Sequence, residues 1–165
     1  MTNSPPPSPD ALKALGRVPS GLFIATAGSG ETAVATLVSF VQQLSFDPPC
    51  IGLALRPDRA LAAAIAREKF FVLNILHAGD KSLLRHFAKA SLTGPAAFAS
   101  VPCNPVPRGG AILLDACAYL ECQLLSTVTF DADHTLFIAR LTAGNLLLDP
   151  ATKPTVHLRH DGARY

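Results

Sequence analysis

The chain of 165 residues fits one domain with a full core, since a domain of this size buries roughly two-thirds of its unfolded surface. Fourteen lysines and arginines against twelve aspartates and glutamates give a net charge of only +2, and the dispersed charges argue against nucleic acid as a partner. The longest apolar runs, such as 50–55 and 60–66, fall far short of the roughly 18 to 20 residues that span a bilayer, which argues against a membrane protein.

The N-terminus and the cysteines predict a cytoplasmic protein. The opening "MTNSPPPSPD" is polar and proline-rich and has no basic segment followed by an apolar one, so it does not resemble a secretory signal. We predict a disordered tail over residues 1–9 and one domain over 10–165. The four cysteines, at 50, 103, 117 and 122, show no C-x-x-C spacing and are predicted to be reduced, structural thiols.

The first third of the chain predicts a helix and several strands. Ser8 and Pro9 before "ALKALGRV" are typical of a helix start, and the helix is predicted to end near Arg17. "GLFIATA" and "TAVATLVSF" predict a β-hairpin around residues 28–31. Prolines in "SFDPP" predict a crossing of the chain before the strand "CIGLALR", and Asp58 is predicted to cap the helix "RALAAAIAREK".

The remaining segments complete a mainly β fold. "FFVLNIL" predicts a strand, Gly79-Asp80 the start of the helix "KSLLRHFAKA", and residues 91–110 a long loop. Two long β-rich runs joined by 131–133 predict a second hairpin. Six or seven antiparallel strands with two or three short helices predict a closed antiparallel β-barrel, because closure removes the sheet edges.

Several familiar motifs are absent or incomplete. Gly28-Ser29-Gly30 joins two strands rather than a strand and a helix, so it does not predict a Rossmann site. "GDKS" at 79–82 lacks the upstream glycine of a P-loop. The pair His157 and His160 is more typical of exposed histidines near a chain end than of metal ligands, and we predict no metal.

One group of residues does suggest a ligand. Thr36 and Ser39 lie on a predicted strand and suit the alternating donors and acceptors of a flavin's pyrimidine edge. Arg56 and Arg59 at a helix start suit its phosphate, whereas Asp58 is unfavourable there unless it caps the helix and faces away. The alternative is that the hydroxyls satisfy neighbouring backbone groups and that both arginines are solvated.

The chain also resembles the flavin reductase domain family over roughly residues 12–165. The resemblance rests on "LGRVPSGLFIATA", "ATLVSF", "LSFDPP", "FFVLNIL", "ACAYLEC", "DHTLFIARL" and the closing "GARY". Within the family the chain looks most similar to the C-terminal reductase domain of cyanobacterial diflavin flavodiiron proteins. The resemblance implies an FMN-binding split barrel that forms a homodimer, binds FMN (FAD in some members) between subunits and passes hydride from NADH or NADPH to flavin, with a possible redox partner protein.

The resemblance also implies roles for individual residues. His134, in the family's Asp-His-x-Leu-Phe pattern, would approach the nicotinamide or the flavin and is the candidate catalytic residue. The implied cofactor-binding residues are Pro19, Ser20, Ala35, Thr36, Leu37, Val38, Ser39, Phe40, Arg56, Asp58, Arg59, Ala60, Arg85, His86, Phe87 and Tyr165.

Some choices stay open on the sequence. Many free-standing reductases have a second serine at the position of Val38 and small polar residues at 41–43, so the preference for FMN over FAD is open. His134 is alternatively a hairpin histidine bonded to Asp133 or to a backbone carbonyl. The whole chain is alternatively a non-catalytic flavin-binding electron-transfer module that serves a flavodiiron or oxygenase partner, or a structural dimeric barrel without an active site.

Overall fold

The computed structural model describes residues 6–88 and 92–163, so the predicted tail over 1–9 lies outside the described residues in its first five positions. The helices are α1 (Pro9–Leu15), α2 (Ala60–Glu68) and α3 (Ser82–Phe87), with 3₁₀ turns at Gly30–Thr32 and Pro95–Phe98. The strands are β1 (Ser20–Gly21), β2 (Phe23–Ala27), β3 (Val34–Val38), β4 (Val41–Phe46), β5 (Pro49–Leu55), β6 (Phe70–Ile75), β7 (Leu92–Thr93), β8 (Cys103–Pro105), β9 (Ala111–Leu113), β10 (Ala118–Thr129), β11 (Thr135–Leu146) and β12 (Val156–His157). None of the helices in the described ranges is long and apolar enough to cross a bilayer.

An eight-stranded antiparallel sheet in the order β4-β5-β11-β10-β6-β2-β3-β7 dominates the fold. The long hairpin of β10 and β11 is shared between two halves of this sheet. Residues 118–123 of β10 pair with β6, whereas residues 135–140 of β11 pair with β5. The two ends of the hairpin therefore support different neighbours, and the mainly β fold with few helices is confirmed.

The predicted closure of the barrel is wrong. β3 lies near one edge of the sheet and β4 at the other, and only Ser39 and Phe40 separate them in the chain. The sheet must therefore curl until its edges approach. No ladder joins β3 to β4 within the described residues, because they are consecutive parts of one bent segment rather than the arms of a hairpin. A covalent link, not a row of hydrogen bonds, connects the edges.

Two apolar clusters fill the two faces of the curled sheet. Leu61 and Ile65 of α2 are fully buried among residues such as Leu53 and Phe71, inside the curl. α3 covers the other face, where Phe87 packs in a second cluster. Burial of each large side chain stabilises the fold by about 1.5–3 kcal/mol. Because Leu61, Ile65 and Phe87 lie on α2 and α3, their packing holds both helices against the sheet and fixes where each helix starts.

The hairpin predictions have mixed outcomes. The hairpins of β2 with β3 and of β10 with β11 are confirmed. The predicted crossing at "SFDPP" is instead a third hairpin, in which Pro49 begins β5 opposite Phe46, a strand-end position that needs no ladder N–H. The predicted loop over 91–110 contains β7, a 3₁₀ turn and β8, and β8 pairs with β9.

Helix starts follow side-chain capping only in part. Ser8 caps α1 as predicted, since its Oγ accepts from the Ala11 N–H at 3.2 Å, although α1 ends at Leu15. Asp80 likewise accepts from the Leu83 N–H, at 2.9 Å, at the start of α3. The cap predicted for Asp58 is wrong, because Arg59 is the N-cap of α2 and the Asp58 carboxylate pairs with Arg56.

A buried polar network ties the segment of β8 and β9 to the sheet. The Asn74 amide donates to the carbonyls of Ile24 and Ala111 at 3.2 and 3.1 Å, and its Oδ1 accepts from the Leu113 N–H at 2.8 Å. The Thr26 hydroxyl both donates to the Ala111 carbonyl and accepts from the Ala111 N–H, each at 2.9 Å. Both side chains are fully buried, so each bond replaces water that the backbone groups have lost.

We expect Cys122 to resist alkylation in the folded protein. All four cysteines are free thiols, and burial raises the pKa of the fully buried Cys122 to about 12, so the reactive thiolate is scarce. The Cys122 thiol of the unfolded chain loses its proton at a lower pH than the buried thiol does. The folded state therefore loses stability relative to the unfolded chain as the pH rises toward 12. Mass spectrometry after iodoacetamide treatment at mildly alkaline pH should find half-buried Cys103 modified before Cys122. Equal rates would contradict the burial.

Candidate functional site

A cleft of about 870 Å³ opens where β3, the end of β5, the start of α2 and the β10–β11 turn meet the C-terminal segment. Its size lies within the range of about 300–1,000 Å³ usual for sites that hold small molecules. The wall combines apolar side chains with three arginines and two histidines. The cleft therefore suits a planar, partly apolar ligand that carries negative charge.

The structure brings more than half of the predicted site residues to this one cleft. β3 ends here, and within it Thr36 and Leu37 are half-buried, whereas Val38 and the following Ser39 are buried. The predicted residues that line the cleft are Thr36, Leu37, Val38, Ser39, Phe40, Arg56, Arg59, Phe87 and His134. Residues far apart in the chain thus form a single surface.

The other predicted residues lie elsewhere. Ala35 is fully buried in the α3 cluster, and Pro19 and Ser20 line a second, smaller cleft of about 330 Å³. His86 points to the 95–98 turn, where its Nε2 lies 3.2 Å from the Ala97 carbonyl oxygen. Exposed side chains outside the cleft wall are Asp58, Ala60 and Arg85. Tyr165 lies outside the described residues.

The start of α2 contributes backbone N–H groups and Arg59 to one end of the cleft. The N-cap is Arg59, whose side chain accepts no hydrogen bond from the helix N–H groups, and the first turn carries no acidic residue. The N-terminal N–H groups and the positive end of the helix dipole thus face no competing carboxylate of their own helix. Phosphate is the ligand group that such a helix end binds well.

The two arginines at this end differ in their partners. Arg56 holds Asp58 through two hydrogen bonds, from Nε at 3.2 Å and Nη2 at 3.0 Å. This pairing lowers the pKa of the Asp58 carboxyl and raises that of Arg56. Arg59 makes no ion pair within residues 6–88 and 92–163, so its guanidinium is the more available of the two for an anion.

The β10–β11 turn presents His134 at the mouth of the cleft. Its Nδ1 lies 2.8 Å from Asp133 Oδ1, and this hydrogen bond lowers the pKa of the Asp133 carboxyl. An ionised carboxylate only accepts, so Nδ1 is the donor and Nε2 is directed to other partners. The His134 ring centroid lies 5.4 Å from that of Phe40, which places the imidazole against the end of β3.

Sequence reasoning placed the C-terminal end near the site but missed His157 and Arg159 as part of the cleft. Arg159 and His157 line it, and the Arg159 Cζ lies 4.8 Å from the Phe40 ring centroid. The described residues contain no group of three metal-ligating side chains, at His157 and His160 or elsewhere. His157 and Arg159 are half-buried and Leu158 between them is exposed, but no local sequence pattern marked either residue as part of the cleft.

Comparison with known proteins identifies similar sequences. Residues 15–164 match the model of the flavin reductase like domain. The chain is 40% identical over 138 residues to diflavin flavoprotein A 1 of Synechocystis. The match covers 83% of this chain and 24% of that protein. The chain thus spans about a quarter of the length of the curated relatives it matches.

Solved structures share the fold. The NADH:FAD oxidoreductase SgcE6 of Streptomyces globisporus superposes with a TM-score of 0.79 at 20% identity, over 97% of this chain and 90% of that one. The flavin reductase HpaC, solved with NADP⁺, gives a TM-score of 0.77 at 23% identity, over 93% of this chain and 95% of that one. At these identities the likeness concerns the fold.

Proposed function

Because the chain belongs to the flavin reductase like domain family, we propose that it is an NAD(P)H:flavin oxidoreductase that binds FMN in the cleft described above. The observation that carries this proposal is the pairing, in one cleft, of a helix start that carries Arg59 and no acidic residue with the segment at the end of β3 that contains Thr36 and Ser39. FMN has a phosphate for the first and an isoalloxazine ring for the second. FAD is the alternative ligand.

The chain's own residues would divide the work of binding. Arg59 and the first N–H groups of α2 would hold the phosphate, with Arg56 kept in place by Asp58. The end of β3 would orient the ring, since the hydroxyls of Thr36 and Ser39 suit the donors and acceptors of the ring's pyrimidine edge. When bound, the flavin supplies the hydride-accepting chemistry, and the protein supplies orientation and electrostatics.

His134 would act at the open side of the ring site. Asp133 fixes the orientation of the imidazole through Nδ1, so that Nε2 can hydrogen-bond the nicotinamide amide or hold a proton near the reacting atoms. The alternative, a hairpin histidine bonded to Asp133, requires this same hydrogen bond, which a positioned catalytic histidine also needs. The two interpretations therefore differ only in the rate of flavin reduction that they predict for a His134 variant.

Titration of the purified protein with FMN and then with NADH or NADPH tests the proposal. We expect the visible spectrum of FMN to shift on binding and to bleach when the nicotinamide cofactor is added without oxygen. Bound flavin that stays oxidised would instead indicate the electron-transfer module. Absence of any spectral change with FMN or FAD would contradict a flavin site.

We expect His134→Asn to slow flavin reduction by about tenfold or more, which equals about 1.4 kcal/mol of transition-state stabilisation. Asparagine keeps a donor at similar reach but removes the titratable ring, so FMN affinity should stay within a few-fold. Anaerobic stopped-flow reduction of the FMN-loaded variant measures this. His160→Asn is the matched control, because the side chain of His160 is 97% exposed and outside the cleft wall. An unchanged rate for His134→Asn would favour the hairpin-histidine alternative.

We also expect a homodimer, in which flavin would lie near the contact between subunits. Apolar side chains are exposed along the far half of the long hairpin and at the β4–β5 turn, including Leu125, Phe130 and Phe46, and Phe46 is 89% exposed. Exposed apolar surface of this kind is usual at interfaces between protein chains. Light scattering over a dilution series measures the mass, and a monomer at every concentration would contradict the expectation.

A further inference from the structure

The cleft receives positively charged side chains from more than one element of the fold. Of its three arginines, Arg56 is held by Asp58, whereas Arg59 and Arg159 make no ion pair within the described residues. Arg59 lies at the start of α2, and Arg159 follows β12 in the C-terminal segment. Two guanidinium groups without carboxylate partners thus enter the same cleft from different elements.

Arg159 is placed against the aromatic part of the cleft. Its Cζ lies 4.8 Å from the centroid of the Phe40 ring, a distance usual for a cation–π contact. The same ring lies 5.4 Å from the ring of His134. Arg159 is half-buried, and therefore partly shielded from water, which strengthens its attraction for an anion relative to a fully solvated cation.

The backbone around Arg159 is fixed by α1. The Arg159 N–H donates to the Gly16 carbonyl at 3.2 Å, and the Gly162 N–H donates to the Leu12 carbonyl at 2.7 Å. Both glycines allow the close approach, since a Cβ on Gly16 would lie 2.7 Å from the Asp161 Cα and one on Gly162 would lie 2.5 Å from the Leu15 side chain.

α1 buries none of its own residues, so its contribution to the core is small. Its backbone hydrogen bonds instead connect it, and the Gly16 that follows it, to residues 159–162. α1 acts as the support on which the C-terminal segment rests, and that segment holds Arg159 at the cleft. The guanidinium is thereby preorganised, which lowers the entropic cost of ligand binding.

We propose that Arg159 is a second anion-binding residue of the cleft, which recognises the diphosphate of a dinucleotide. This rests on the proposed function. A mononucleotide has one phosphoryl group, for which Arg59 and the start of α2 suffice, whereas a dinucleotide has two phosphoryl groups, and a cation from a second element can bind the second group. Arginine suits this group because its planar fork can donate to two oxygens at once. The diphosphate belongs either to FAD or to the nicotinamide cofactor.

Binding measurements on Arg159→Ala distinguish these sources. Calorimetry would measure FMN and FAD with the protein free of flavin, and NAD⁺ with the FMN-loaded protein. We expect FMN affinity within about twofold of the parent and a loss of about tenfold or more for one dinucleotide, as for one charge-assisted hydrogen bond. Loss confined to FAD assigns the diphosphate to the flavin, and loss confined to NAD⁺ assigns it to the co-substrate.

Two further variants separate recognition from folding. Arg159→Lys keeps the charge but not the fork, so we expect it to recover part of the dinucleotide affinity. Arg140→Ala removes an equal charge from an exposed position on β11 outside the cleft wall and should change no affinity. Thermal melting of each variant checks the fold, and a selective loss in Arg159→Ala at an unchanged melting temperature supports the proposal.

The outcomes that overturn the proposal differ from those that overturn the proposed function. Equal losses of FMN and dinucleotide would place Arg159 in the mononucleotide site, and unchanged affinities would exclude it from recognition. A parent protein that binds FMN but neither binds NAD⁺ nor is reduced by NADH or NADPH would refute the reductase function itself. If that parent also binds FAD no more tightly than FMN, the diphosphate role fails with it.

Discussion

Replacement of Asn74 by Ala should lower the free energy of unfolding by about 3 kcal/mol. Asn74 is fully buried, and its amide satisfies the carbonyls of Ile24 and Ala111 and the N–H of Leu113. Alanine would leave these backbone groups short of partners where water has little access, and would also leave a small cavity. Urea denaturation followed by circular dichroism measures the change.

Two comparisons identify the cause of this loss. Asn145→Ala removes the same side chain from an exposed position on β11 and should change stability by less than about 0.5 kcal/mol. Asn74→Leu fills the space but leaves the backbone groups without hydrogen bonds, so we expect it to be nearly as destabilising as Asn74→Ala. Near-parent stability in Asn74→Leu would show that packing, and not hydrogen bonding, is what Asn74 provides.

Asn74 also shows where sequence reasoning ends. The run "FFVLNIL" was enough to predict β6, because apolar and β-branched residues between turn signals are typical of a buried strand. Nothing local marked its asparagine, since the partners are backbone groups of residues 111–113 and of β2. Residues 111–113 follow the predicted loop over 91–110 and carried no prediction of their own, since their pairing depends on contacts between residues that are distant in the chain.

The candidate site was predictable where one segment carried the signal. Thr36, Ser39, Arg56 and Arg59 all line the cleft, because a strand end and a helix start each have a local pattern. Arg159 had no such pattern, since its place depends on the approach of the C-terminal segment to α1 through Gly16 and Gly162. The prediction of a closed barrel is wrong for a related reason. The number of strands does not reveal that one bent segment supplies both β3 and β4.

The misassigned cap at Asp58 changes which groups are available at the start of α2. Aspartate is a good N-cap by local preference, but here the chain begins α2 one residue later and Asp58 accepts two hydrogen bonds from Arg56. The orphan N–H groups at the helix start therefore stay available to a ligand. The ion pair reduces the positive charge that Arg56 offers, which leaves Arg59 as the main cation at this end.

Arg59→Ala should weaken FMN binding by about ten- to a hundredfold and leave riboflavin binding within about twofold. The loss of one charge-assisted hydrogen bond to phosphate corresponds to about 1.5–3 kcal/mol, and riboflavin has no phosphate to lose it from. Fluorescence titration with each flavin gives both affinities on the same protein. Because the interaction is between charges at an exposed position, the difference between FMN and riboflavin should also shrink as salt is added.

Arg67→Ala provides the matched control for this result. Arg67 lies in the last turn of the same helix and pairs with Glu68 at 2.7 Å, so its removal changes the net charge equally but far from the N-terminal end of α2. We expect both flavins to bind this variant as they bind the parent. Asp58→Ala tests the opposite change. It frees Arg56 from its ion pair and removes a carboxylate near the proposed phosphate position, so we expect FMN to bind more tightly. Equal losses of FMN and riboflavin in Arg59→Ala would mean that Arg59 shapes the cleft instead of binding phosphate, and the start of α2 would then lose its role as the anchor of the flavin.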